Sequence, residues 1–306
     1  MRMCAVLLLL VGFSAIAVAE DYRAAKPGDL LQVRLEQLHP TQAVVGYDQI
    51  YYKLGRFAKE PNKLFDEYCE GNGQGESSKV PKGANLHQPD SFSCQGAVAS
   101  RSSEMKTVVV GPEGQLYLTD GHHTFTTLWE QPEGGAKLQM WVKVTDNFSD
   151  SPDLASFWQR MQAARKVWLK DGQGQMITPE QIPAQLGLGS LADDPYRALV
   201  YFTREVAYDK PRSGDVAPEF LEFYWGNWLR GQLNLSEYDL RDKGDYRDAI
   251  GAAAKLMVAL EADSTVGDSG FKASELGGYS SVDRKEMGKM ASKKLPYMVA
   301  YKATRQ

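Results

Sequence analysis

Cysteine and histidine are scarce in this chain, with three and four residues among 306. No two cysteines stand in a C-x-x-C spacing, which argues against a thiol redox centre or a cysteine-based metal site. Surplus basic charge is missing as well: Lys and Arg number 35 against 39 Asp and Glu, for a net charge of −4. Broad, non-specific nucleic-acid binding needs excess cations to displace counterions, so it is not expected here. Internal repeats are absent. Long apolar runs are confined to Cys4–Val18, which is short for a membrane span and lacks a basic stop-transfer flank. The positive start Met1-Arg2-Met3 and the small-x-small Ala17-Val18-Ala19 mark residues 1–19 as a cleaved secretory signal. The expected mature protein begins at Glu20, is periplasmic or secreted, and has no stable membrane anchor.

Cys4 would leave with the signal, so Cys69 and Cys94 remain. An even pair in an oxidising compartment is expected to form a disulfide. It would pin the polar, glycine-rich Gly71–Ser78 insert. A pair of metal ligands is the rival reading of these two thiols.

Periodicity divides the rest into an α+β region over residues 20–148, a helical region over 149–262 and a loose basic segment over 263–306. Gln32–Leu38 alternates as a strand and runs into a proline turn, His39-Pro40-Thr41-Gln42. A helix follows from Tyr47 towards Phe57. Lys106–Gly111 and Leu116–Thr119 flank Pro112-Glu-Gly-Gln115 as a hairpin. Leu138, Met140, Val142 and Val144 form one face of a further strand. Ser151 as cap and Pro152 as first residue open a helix whose apolar stripe extends to Trp168. Helices are also expected over 194–206, 218–230 and 246–262.

The residues best suited to chemistry are Asp120-Gly121-His122-His123-Thr124, placed where the hairpin breaks into a helix. A helix N-terminus offers free N–H groups and a positive dipole end to an anion. A carboxylate and two imidazoles there could act as acid and base: His122 or His123 would activate water, and Asp120 would orient one ring. Asp120 with His122 could equally hold a divalent metal. The alternative is structural, with Asp120 a plain N-cap and the histidines satisfied in the core.

In order, the strand, Pro40-Thr41-Gln42, the helix, Val108–Val110 and Asp120-Gly-His-His123 resemble the ParB/sulfiredoxin superfamily, and within it the ParB-like nuclease family. Phe157-Trp158, Asp193-Asp-Pro-Tyr-Arg197 and Phe223-Tyr-Trp225 look like the same family, so the resemblance spans roughly Gln32 to Arg230. It implies a small mixed sheet with helices whose glycine turn holds phosphate, with Thr41 and Gln42 beside Gly121 and Thr124. Superfamily relatives bind CTP, use ATP to activate a sulfinic acid, or phosphorylate serine. Here Thr124 stands where those relatives usually place arginine, and the loop holds no cysteine, which rules against sulfiredoxin chemistry. Arg197, in a helix first turn, is the residue expected to supply the missing fixed charge. Two functions stay open: an exported phosphoester hydrolase, in the family's sense a nuclease, acting on a phosphate-containing ligand or nucleic acid; or a non-catalytic envelope domain that binds an anion, a nucleotide or a partner.

Overall fold

Residues 21–211 and 217–305 are described in the structure, a computed structural model. The expected signal peptide lies outside the described residues. In chain order the elements are β1 (Leu30–Arg34), β2 (Leu38–Pro40), β3 (Val44–Val45), α1 (Tyr47–Lys59), α2 (Asn62–Gly71), β4 (Ser77–Lys79), β5 (Ser93–Cys94), β6 (Lys106–Val110), β7 (Leu116–Asp120), α3 (His122–Trp129) and β8 (Gln139–Asn147). Then come α4 (Leu154–Ala163), β9 (Ala192–Asp193), α5 (Pro195–Thr203), α6 (Leu221–Arg230), α7 (Lys243–Ala259), α8 (Arg284–Lys289) and α9 (Leu295–Lys302).

The architecture is mixed, as the sequence leads one to expect: a curled sheet with helices against it and a helical C-terminal half. Strand order is β1-β8-β6-β7-β2. The β1/β8 and β6/β7 pairs are antiparallel, while β6/β8 and β2/β7 are parallel. Period-2 alternation builds its inner face, with Met140, Val142 and Val144 fully buried along β8. One apolar core fills the space between this sheet and α1 to α3. A second, around Trp225, Tyr208 and Tyr246, joins α5, α6, α7 and α9.

Three sequence expectations are corrected. The strand expected over 32–38 breaks into β1 and β2, because a 3-10 turn forms at Leu35–Gln37 and Gln37 Oε1 accepts the Arg34 N–H at 2.7 Å. The helix expected from Pro152, with Ser151 as cap, begins two residues later, at Leu154. Asp153 is its cap and accepts the Ser156 N–H at 2.7 Å, while Ser151 Oγ donates to the Phe148 carbonyl. It stops at Ala163, ahead of Arg165 at φ 56°, so Trp168 lies beyond it. The C-terminal segment is packed rather than loose. Leu295 and Met298 are fully buried, and Lys302 Nζ sits 2.9 Å from Asp48 on α1. Close approach is possible because Gly55 faces it: a Cβ there would fall 2.2 Å from the Tyr297 carbonyl oxygen.

Cys69 on α2 is joined to Cys94 on β5, 25 residues on, at a Cα separation of 5.7 Å. Closing a loop of this length stabilises by about 3 kcal/mol. Thiol titration of the unfolded, unreduced protein is expected to find no free thiol from this pair, and reduction to lower the melting temperature. Two reactive thiols would contradict the bridge. Among the described residues no helix is long and apolar enough to cross a membrane.

Candidate functional site

β7 delivers the chain to α3 through Gly121. Its φ of 111° is a left-handed conformation, and a Cβ there would fall 2.6 Å from Lys106 Cγ. Glycine is therefore required twice over. Gly121 also occupies the cap position, so Asp120 is not the N-cap of α3. Instead Asp120 ends β7 with its side chain half exposed and Lys106 Nζ 3.9 Å away. Burial opposes its charge, but Lys106 and Lys210 outweigh that and hold the carboxyl below its ordinary value. The first intrahelical bond runs from Phe125 N to Gly121 O at 2.8 Å. The N–H groups of His122, His123 and Thr124 precede it, as in any helix first turn.

Both imidazoles brace this turn. His122 Nε2 accepts the Thr41 N–H at 3.1 Å, and His123 Nε2 accepts the Gly46 N–H at 2.9 Å. A backbone N–H can only donate, so each ring is neutral with its proton on Nδ1. Neither Nε2 is free to take a proton from water, and no hydrogen bond joins Asp120 to either ring among the described residues. Burial draws His122 down to about 3; burial and then Arg197 draw His123 well below its usual range. A histidine whose folded pKa is depressed contributes stability above its unfolded value, about 6.5, and that contribution is lost as pH falls towards 3. His122→Gln, whose Oε1 can still accept the Thr41 N–H, is expected to be about 1 kcal/mol less stable than wild type at pH 7. In urea titrations at pH 4 that gap should have closed. A gap constant with pH would show that His122 is not held neutral.

Thr41 thus reaches the loop through its backbone, and its Oγ1 donates to the Leu118 carbonyl at 2.7 Å. Gln42 does not reach the cleft: it is buried, with Nε2 donating to the Val44 carbonyl. Asp120, Gly121, His123, Thr124 and Arg197 do come together, on the wall of a cleft of about 500 Å³. Arg197 stands in the first turn of α5, where Asp194 caps the helix and accepts its N–H at 3.1 Å. Its guanidinium does not pair locally, since the Asp194 carboxylate takes Arg230 at 2.9 Å. Nη1 donates to Gln49 Oε1 at 3.0 Å, while Nη2 lies 3.5 Å from His123 Nδ1 and 3.7 Å from Glu222 Oε2. Nε is buried without a hydrogen-bond partner.

Sequence reading overlooked the acids opposite. Glu67 and Glu70 lie three apart on α2, hence on one face, and both line the cleft. α2 meets the loop at Gly71, where a Cβ would touch Thr124 Cγ2 at 3.8 Å. Lys53 of α1 forms a close ion pair with Glu67 and reaches Thr124 Oγ1 at 3.3 Å. Burial would raise Glu67, but Lys53 holds it below the usual carboxylate value. Glu70 reaches solvent, yet its surroundings, and then the Glu67 carboxylate, push it up to about 7. Helical i, i+3 spacing was the only signal in the sequence for this pair.

Asp120 and His122 do not make a metal site, because His122 Nε2 is already taken. Among the described residues no three His, Cys, Asp or Glu side chains cluster as ligands.

The chain is similar to the crystal structure of protein Atu1540 from Agrobacterium tumefaciens, at 22% identity and a TM-score of 0.50, covering 76% of this chain and 91% of that one. That likeness speaks to the fold. No curated protein matches the chain. A family model described as "Putative ParB-like nuclease" matches residues 31–231, about two thirds of the chain, from β1 through α6. Because that span covers about two thirds of the chain and takes in the whole cleft from Gln49 to Glu222, the chain belongs to the ParB-like nuclease family.

Proposed function

We propose that the cleft binds a phosphate-bearing ligand and hydrolyses its phosphoester. One observation carries the reading: the buried Arg197 guanidinium, held by Gln49 and Glu222 but with Nε unpartnered, stands beside His123 at the first turn of α3, on the wall of the cleft. There the N–H groups of His123 and Thr124, the helix dipole and a fixed cation converge on one anion. Lys53 and Lys106 add charge around it, and the His123 Nδ1–H supplies a neutral donor. Glu70 is the general base: with its pKa near 7 it takes a proton from water, whose oxygen bonds phosphorus as the ester P–O bond breaks, and the departing alkoxide takes a proton from solvent. The histidines position the turn. A cleft of this size with an acidic chain around it suits a small phosphoester or a strand end rather than a long duplex. With residues 1–19 read as a cleaved signal, that ligand is met outside the cytoplasm, where nucleoside triphosphates are scarce.

A panel of phosphomonoesters and phosphodiesters, with and without divalent cations, tests the activity. Arg197→Lys keeps the charge but loses the planar fork. It is expected to weaken phosphate binding by about tenfold while moving the melting temperature little. Intact binding with a large loss of stability would make Arg197 structural. A second reading, anion binding without turnover, draws support from the two imidazoles, both committed to backbone N–H groups. Phosphate binding with no hydrolysis across the panel would select it.

A further inference from the structure

Beside the cleft lies a second cavity, of about 770 Å³. Tyr52, Arg56 and Arg204 line both, so the two share a wall. The far side comes from the C-terminal segment, outside the span that matches the family. Between α8 and α9, Met290–Lys294 forms one π-helical turn, an irregularity that recurs at functional sites. It places Lys293 and Lys294 on the cavity wall. Neither makes an ion pair among the described residues, although the Lys294 ammonium stands 5.3 Å from the centre of the Tyr201 ring. Burial draws Lys294 below its ordinary pKa. Arg204 is closely paired with Glu222, but its Nε is buried without a hydrogen-bond partner.

Acids on the same wall cancel only part of this charge. Glu60 is engaged by Arg56 at 3.5 Å and by the Tyr297 hydroxyl, and Glu286 by Lys289 at 2.5 Å. Glu205 is left to face Lys294 without an ion pair. Lys294, a half-buried ammonium without an ion pair, raises the free energy of the empty cavity, and a bound anion offsets that cost.

We infer that this cavity is a second anion subsite, so that the whole site takes a ligand carrying two phosphate groups. The inference rests on the phosphate reading of the first cleft and adds the substrate class: a bisphosphorylated molecule, such as a 5′-phosphorylated dinucleotide. Isothermal titration of the full chain with thymidine 5′-monophosphate and with 5′-phosphorylated dithymidylate tests it. Wild type is expected to bind the dinucleotide about tenfold more tightly than the monophosphate. In Lys293→Met/Lys294→Met that ratio should fall to about two or less, and Lys294→Arg should keep it. Lys293→Glu, a reversal at an exposed position, lowers the ratio without threatening the fold. Equal binding of both ligands by wild type, or an unchanged ratio in the Lys293 and Lys294 variants, overturns the subsite. Failure of wild type to bind even the monophosphate would instead overturn the reading of the first cleft.

Discussion

Glu70→Gln is expected to lower kcat for phosphoester hydrolysis by about 100-fold or more, the usual range for loss of a general base. Affinity for phosphate should hold or rise, because a negative charge leaves the cleft. The reason lies in the two carboxylates of α2. Lys53 keeps Glu67 ionised, while Glu70 is pushed up to about 7, so two like groups are driven to different protonation states. Wild-type rate should therefore rise with pH through about 7 as Glu70 loses its proton, and the variant should lose that limb. Glu70→Asp, which keeps the carboxylate on a shorter arm, should recover part of the rate. A pH profile unchanged by Glu70→Gln would remove Glu70 from the chemistry.

The largest stability effect is expected at Glu222 on α6. Its carboxylate is buried and faces three cations. Arg204 forms a close pair with it, Arg197 Nη2 lies 3.7 Å away and Lys210 Nζ 3.8 Å. Burial alone would raise Glu222, but Lys210, Arg197 and Arg204 overcome that and hold it well below the ordinary carboxylate range. Glu222→Ala strands the Arg197 guanidinium without a counterion, which costs about 3–5 kcal/mol for a buried pair broken on one side. At roughly 2–4 °C per kcal/mol, the melting temperature should fall by about 10 °C. Removing Arg204 as well, in Glu222→Ala/Arg204→Met, should restore part of the loss. The sign with pH follows from a depressed folded pKa: the stabilisation is present above the unfolded carboxylate value and disappears as pH falls through the folded one. A variant as stable as wild type at pH 7 would mean that solvent, not Glu222, balances these cations.

Local physics made several elements readable from sequence. Alternation fixed the inner face of β8, and the Pro-Gly turn fixed the β6–β7 hairpin. Asp194-Pro195 announced the start of α5, because an Asp cap and a proline at the first helical position act within one turn. The Cys69–Cys94 bridge followed from counting thiols. Where two local preferences competed, sequence reading chose badly. Ser151 is the cap the sequence suggests for α4, but its hydroxyl donates to the Phe148 carbonyl three residues back and Asp153 takes the cap.

What the sequence by itself determined is the set of parts: a glycine turn at the head of α3 and an arginine in the first turn of α5. Each depends on neighbours within four residues, which is the range over which caps, turns and helical spacing operate. Tertiary structure alone decided how the parts function together. The histidines that look catalytic in sequence are held neutral by N–H groups of Thr41 and Gly46, about eighty residues upstream. Glu70 gains its raised pKa from its enclosure in the folded cleft and then from the Glu67 carboxylate beside it. The lysines of the C-terminal segment reach the wall of the second cavity only because Leu295 and Met298 bury that segment against α1 and α7. Charge and proton affinity in a cleft depend on distance and dielectric, and both are set by chains that meet only once the molecule has folded.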